Sequence, residues 1–152
     1  NLRLNFYSAG NCEHIIEDYK NTSSNIYQHG FVTHTESMDA IKKAKFLVNI
    51  GNKGTDMVPS KLFEYMSTGK PIIHFYYDES DSCIPYLLKY PMALIIKMDE
   101  EQINDNKILV SEFMKKYEYY QAIELDLVEE IFLYNTPKYT SKLIERILKD
   151  DV

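Results

Sequence analysis

The stretch VPSKLFEYMSTGKPII, residues 58–73, decides the reading of this chain. Pro59 and Ser60 open a helix over about residues 59–67, with Pro59 at the first helical position, where its missing N–H costs nothing. Thr68-Gly69 closes the helix, and Pro71 prevents its continuation. The apolar PIIHF (71–75) follows as a buried strand. Upstream, KFLVNI (45–50) is a second compact apolar strand of the kind buried on both faces, and a loop containing Gly51 and Gly54 joins it to the helix.

A buried parallel strand that runs through a glycine-containing loop into a helix N-terminus is where α/β proteins hold phosphates. Ligands sit beyond the carboxyl ends of the strands, and unpaired amides together with the helix dipole favour negative charge there. Gly51 and Gly54 allow a tight turn and close backbone approach. With Pro59 lacking a donor, the amides of Ser60, Lys61 and Leu62 are the candidate anion ligands. Ser60 adds a hydroxyl and Lys61 a mobile positive charge suited to a diphosphate. Glu64 lies one turn on from Ser60, and its carboxylate can accept the two hydrogen bonds that a ribose diol offers. The same residues also serve as plain helix punctuation, and Glu64 would suit any solvated helix face. STGKP is not a Walker A sequence, because Pro71 stands where that motif needs Ser or Thr.

Working outward, LRLNFY (2–7) alternates as a strand with one buried face, EHIIEDYK (13–20) has helical spacing, and IYQHGFV (26–32) is a short strand breaking at Gly30. Thr35 is placed to cap a helix over 36–44. IPYLLKY (84–90) reads as a short helix and MALIIKM (92–98) as a fifth strand. Residues 108–120 and 122–134 read as helices, and Thr136 caps a last one that begins at Pro137. Strands alternating with helices predict an α/β fold: one Rossmann-like three-layer domain over 1–152, with a parallel sheet of about five strands covered by helices on both faces.

Composition narrows the partners. The chain has 152 residues, 45% of them hydrophobic, enough for one ordinary core. A net charge of −6 argues against a surface dedicated to nucleic acid or anionic lipid. Cys12 and Cys83 are far apart, with no CxxC or Cys/His ligand spacing, which favours a reducing, cytoplasmic compartment and no structural metal. His14, His29, His34 and His74 show no metal-ligand spacing either, and His74, inside a strand, is expected to be a satisfied core or rim histidine. Asp78, Glu79 and Asp81 follow the 71–75 strand and could meet sugar hydroxyls or form a solvated loop. Lys42, Lys43 and Lys45 fit the end of a helix dipole. The Asn21-Thr22-Ser23 sequon is read as chance, and no apolar run is long enough to span a bilayer. Opening on Asn1 without an initiator Met, the chain is expected to be a piece of a longer protein.

NIGNKGTDMVPSKLFEYMSTGKPII (49–73) resembles the donor-binding signature of GT-B glycosyltransferases, in particular the retaining group 1 type with two acidic residues eight positions apart, here Asp56 and Glu64. The passage IYQHGFVTHTESMDAIKKAKFLVNIG (26–51) resembles the one before it in that family, and the likeness covers about residues 2–98. It implies that Glu64 binds the ribose hydroxyls of a nucleotide sugar and that amides around Val58 to Lys61 hold the diphosphate, with Gly51, Asn52 and Leu62 also counted in the nucleotide-sugar site. It also implies that backbone near Phe31 and Val32 meets the base and that Asp56, shorter than the usual Glu, faces the donor sugar as the catalytic carboxylate. The chain departs from the family in lacking the acceptor half and the first strand and helix of the donor half. Five strands remain, expected in the order 2-1-3-4-5.

The expected function is therefore the C-terminal, donor-binding domain of a bacterial GT-B glycosyltransferase of polysaccharide biosynthesis, inactive alone. It would take a nucleotide-diphosphate sugar, with no metal or other cofactor, for transfer to a saccharide or lipid-linked acceptor. Its partner would be the N-terminal acceptor domain of the parent protein, through which any peripheral membrane association would come. Two alternatives stay open: a sugar-nucleotide epimerase of the same architecture, and a non-catalytic flavodoxin-like binding module.

Overall fold

The alternation in LRLNFY produces β1 (Leu4–Phe6), and the helical spacing after it produces α1 (Glu13–Thr22). The structure is a computed structural model that describes residues 2–8, 12–51 and 57–150. It divides into two units, Asn1–Ala44 and Lys45–Val152, each taken by itself below. In the first, β2 (Ile26–Gln28) runs parallel to β1, with Leu4 opposite Ile26 and Phe6 opposite Gln28, and α2 (His34–Lys43) follows. Gly30, just past β2, has φ +67°, a left-handed conformation that ends the strand where the sequence predicts a break. α2 begins two residues earlier than expected. Its cap is Thr33 rather than Thr35, because Glu36 stands three residues on and closes a capping box. Thr33 Oγ1 accepts from the Glu36 amide at 3.3 Å, and the Glu36 carboxylate accepts from the Thr33 amide and hydroxyl, both at 2.8 Å.

In the second unit, β3 (Leu47–Ile50), β4 (Ile72–Tyr76) and β5 (Ala93–Lys97) form a parallel sheet in that order, with β4 in the middle. Central placement explains why Ile72, Ile73 and His74 are all buried. Between the strands lie α3 (Ser60–Ser67) and the one-turn α4 (Ile84–Leu87). After β5, a 3-10 turn at Glu100–Gln102 leads into α5 (Ile103–Lys116), followed by α6 (Leu125–Ile131) and α7 (Pro137–Asp150). α5 starts earlier than its apolar stripe predicts, because Asp99 caps the preceding turn at the Glu101 amide. Thr136 Oγ1 accepts from the Tyr139 amide at 3.2 Å, so Thr136 and Pro137 start α7 as expected.

The two faces of this sheet have different covers. On one, Phe113 of α5 packs against Ile73 and Ile96, with Phe46, Phe75 and Leu94 around them. β-strand alternation puts Ile72 and His74 on the other face. Leu62 and Met66 of α3 are 0% and 1% exposed, and Val128 of α6 and Phe132 are also buried. Full burial of a side chain the size of Leu62 contributes about 1.5–3 kcal/mol, so α3 is held by this inner face rather than by its ends.

The α/β class, the parallel pairing and the five strands agree with the sequence, but the single five-stranded sheet does not. The strands pair as two sheets, β1-β2 in the first unit and β3-β4-β5 in the second, so the 2-1 and 3-4-5 parts of the expected order are present. β1 has three residues and β3 four, so each offers few backbone pairs to a further strand.

Candidate functional site

The site begins where β3 ends. The Gly51 amide donates to the Phe75 carbonyl at 2.7 Å, which extends the β3–β4 ladder by one residue to the carboxyl rim of the sheet. Gly51 is buried, and a Cβ there would overlap the Asp81 carboxylate and lie 3.3 Å from the Phe75 carbonyl oxygen. Any side chain there would have to displace that carboxylate.

α3 opens on Pro59, which is its extended N-cap (φ −61°, ψ 132°) and not its first helical residue as expected. Proline fits the cap's backbone angles but offers no side-chain acceptor, so this helix start has neither a side-chain cap nor an acidic residue in its first turn. Lys61 sits in that turn, at the positive end of the helix dipole, where a cation is disfavoured unless an anion offsets it. Its Nζ donates to Glu64 Oε2 at 2.8 Å, with the two side chains 39% and 32% exposed. Lys followed by Glu is the weaker order for a helical ion pair. Burial raises the phenol of the adjacent Tyr65, with Lys61 pulling it the other way.

Of the residues singled out in the sequence, Lys61 and Glu64 are brought together, Ser60 is exposed on the first helical turn, and Gly51 is at the rim. Leu62 is a correction. Its side chain is core, and its amide donates to the Pro59 carbonyl at 3.0 Å, so it is not a donor for a ligand. Val58 lines an open depression of about 460 Å³ with Ser82, Pro85, Tyr86, Lys89 and Asn135. Phe31, 85% exposed, and Val32, half-buried, follow Gly30 in the first unit. Asn52, Gly54 and Asp56 lie outside the described residues.

Beneath the rim is a buried polar group that the sequence did not announce. His74 is 0% exposed, and its Nδ1 lies 2.9 Å from Asn49 Nδ2, across the β3–β4 ladder where the two residues are paired. Its Nε2 is 3.4 Å from Asp81 Oδ2 and has no hydrogen-bond partner. The other Asp81 oxygen accepts from the Cys83 amide at 2.8 Å, and Cys83 Sγ lies 3.8 Å from Asn49 Nδ2. Burial pushes the His74 imidazole below its ordinary 6.5, outweighing the opposing pull of Asp81. Burial, and then Asp81, push the Cys83 thiol up to about 11. His74 is thus a core histidine, but a half-satisfied one. The other carboxylates of this loop have partners of their own: Asp78 accepts from the Ser80 amide and hydroxyl, and Glu79 from Lys97 at 2.9 Å.

Compared with family models, curated proteins and solved structures, the chain matches none.

Proposed function

We propose that this chain is the nucleotide-sugar-binding part of a GT-B-type glycosyltransferase, the parent protein passing the glycosyl group to a saccharide or lipid-linked acceptor. The observation that carries the reading is the start of α3. It is a helix N-terminus without a side-chain cap or first-turn acid, with Lys61 in its first turn, on the helix that follows β3 and Gly51 in a parallel sheet. Helix dipole and ammonium add in the same sense, which suits a diphosphate.

In this mechanism the Ser60 amide and hydroxyl and the Lys61 ammonium take the leaving diphosphate, so charge developing as the glycosidic bond breaks meets donors already in place. Glu64 then exchanges its bond from Lys61 for the ribose hydroxyls. Asp56 would face the donor sugar. Among the described residues no helix is long and apolar enough to cross a membrane, and the proposal places the reaction in the cytoplasm.

Calorimetry of the full-length protein with UDP and with GDP tests the reading. Binding of either one, weakened tenfold or more by Glu64→Ala, is the expected result. Binding of neither, or equal binding by the variant, overturns it.

A further inference from the structure

We propose that His74, Asp81 and Cys83 form a buried site for one thiophilic divalent cation, Zn²⁺ by preference, with Asn49 orienting the imidazole. One nitrogen of His74, one carboxylate oxygen of Asp81 and Cys83 Sγ all lie within 4.8 Å of one another, and all three residues are buried. This inference is separate from the nucleotide-sugar reading, since it uses none of that site's residues.

Three observations point to a cation. The first is the orphaned nitrogen. His74 Nε2 is buried, has no hydrogen-bond partner and faces Asp81, and a buried polar atom left in that state costs about 1–3 kcal/mol. The second is spacing. The 3.4 Å between Nε2 and Asp81 Oδ2 is long for a hydrogen bond. It matches the edge of a tetrahedron whose corners are about 2.0–2.3 Å from a central zinc, roughly 3.3–3.8 Å. Cys83 Sγ, the third corner, lies within 4.8 Å of the other two ligand atoms. The third is charge and chemistry. A neutral imidazole, a carboxylate and a thiolate sum to −2, which a divalent ion cancels in a place from which water is excluded. Binding would release one proton, that of the Cys83 thiol. A sulfur and an imidazole nitrogen in the set select zinc or cobalt over magnesium or calcium, which prefer oxygen.

Asn49 completes the arrangement. Rotating its amide by 180° makes Oδ1 the acceptor for an Nδ1–H of His74, which leaves the Nε2 lone pair for the metal. Outer hydrogen bonds of this kind set the tautomer of metal-bound histidines. A cation here would join β3, β4 and the start of α4 directly under Gly51, at the rim of the sheet. None of the three ligands is open to solvent.

The test uses the full chain carrying Cys12→Ser, in which Cys83 is the sole thiol. Stripped of metal and titrated with Co²⁺, it should bind one equivalent with a sulfur-to-cobalt charge-transfer band and tetrahedral visible bands. Zn²⁺ should displace the cobalt and raise Tm by roughly 5 °C or more. His74→Gln and Asp81→Asn should each weaken cobalt binding at least tenfold. A folded Cys12→Ser protein that shows no charge-transfer band overturns the proposal without reference to any further variant. Bands that persist unchanged in a folded His74→Gln protein overturn it as well.

Discussion

Gly51 and Asp81 compete for one volume: a single added carbon on Gly51 would overlap the Asp81 carboxylate. Asp81 cannot swing clear without giving up the Cys83 amide that it accepts from at 2.8 Å. The exit of β3 and the loop after β4 are therefore fitted to each other, and the glycine is required by a neighbour rather than by its own backbone angles.

Gly51→Ala should accordingly destabilise the protein by about 1–3 kcal/mol, the usual cost of overpacking. Asp81→Ala carries its own cost, but the double variant should be less destabilised than the two single costs added together. Urea denaturation of the four proteins measures this. A strictly additive cycle would show that the carboxylate moves aside freely.

Gly69 is required for the other reason. It ends α3 at φ +66°, and a Cβ there would also collide with the backbone of Ile123, whose amide donates to the Gly69 carbonyl at 2.9 Å. Gly69→Ala should cost more than the ~1–2 kcal/mol of left-handed strain alone. Gly30 is also left-handed, at φ +67°, but has nothing within 4 Å of an added Cβ, so Gly30→Ala should cost less. Comparing the two by chemical denaturation separates strain from collision.

Lys61 and Glu64 form a half-exposed pair, which contributes little to stability. Lys61→Ala should shift the unfolding free energy by less than about 0.5 kcal/mol. If its ammonium meets a diphosphate, the same change should weaken UDP binding about tenfold or more, the scale of a lost charge-assisted hydrogen bond. Paired denaturation and calorimetry distinguish a binding residue from a decorative ion pair.

The start of α2 should respond to acid. Hydrogen bonds from the Thr33 amide and hydroxyl hold the Glu36 carboxyl below its ordinary 4.5. A carboxyl lowered by folding supports the fold above 4.5, and that support is lost as pH falls below this value. The Thr33 and Glu36 amide signals should therefore titrate together below pH 4.5 in an NMR series and lose that coupling in Glu36→Gln. Thr33→Ala should cost about 1 kcal/mol at neutral pH.

The parallel α/β class was legible because strand and helix periods alternate cleanly, and α3 was legible because Pro59 and Gly69 bracket it. Boundaries moved where a side-chain cap outside the apolar pattern won, as Glu36 did in drawing the start of α2 back to Thr33. In the candidate site, the pairing of Lys61 with Glu64 follows from helical spacing, whereas the diversion of the Leu62 amide to Pro59 depends on Pro59 being a cap. The cluster of Asn49, His74, Asp81 and Cys83 was not legible. Its members come from two neighbouring strands and a returning loop, and their intervals of 25, 7 and 2 residues match no ligand motif.

The bond from Ile123 to Gly69 also fixes how far the chain can be shortened. α6 lies against α3, and Val128 and Phe132 are buried along with Leu62 and Met66. A truncated version stopping after β5 would retain every letter of the 58–73 signature, yet it would strip the apolar roof from the helix that displays it and leave its closing carbonyl unsatisfied. The helical tail, the least informative third of the sequence, is therefore the buttress of its most informative sixteen residues.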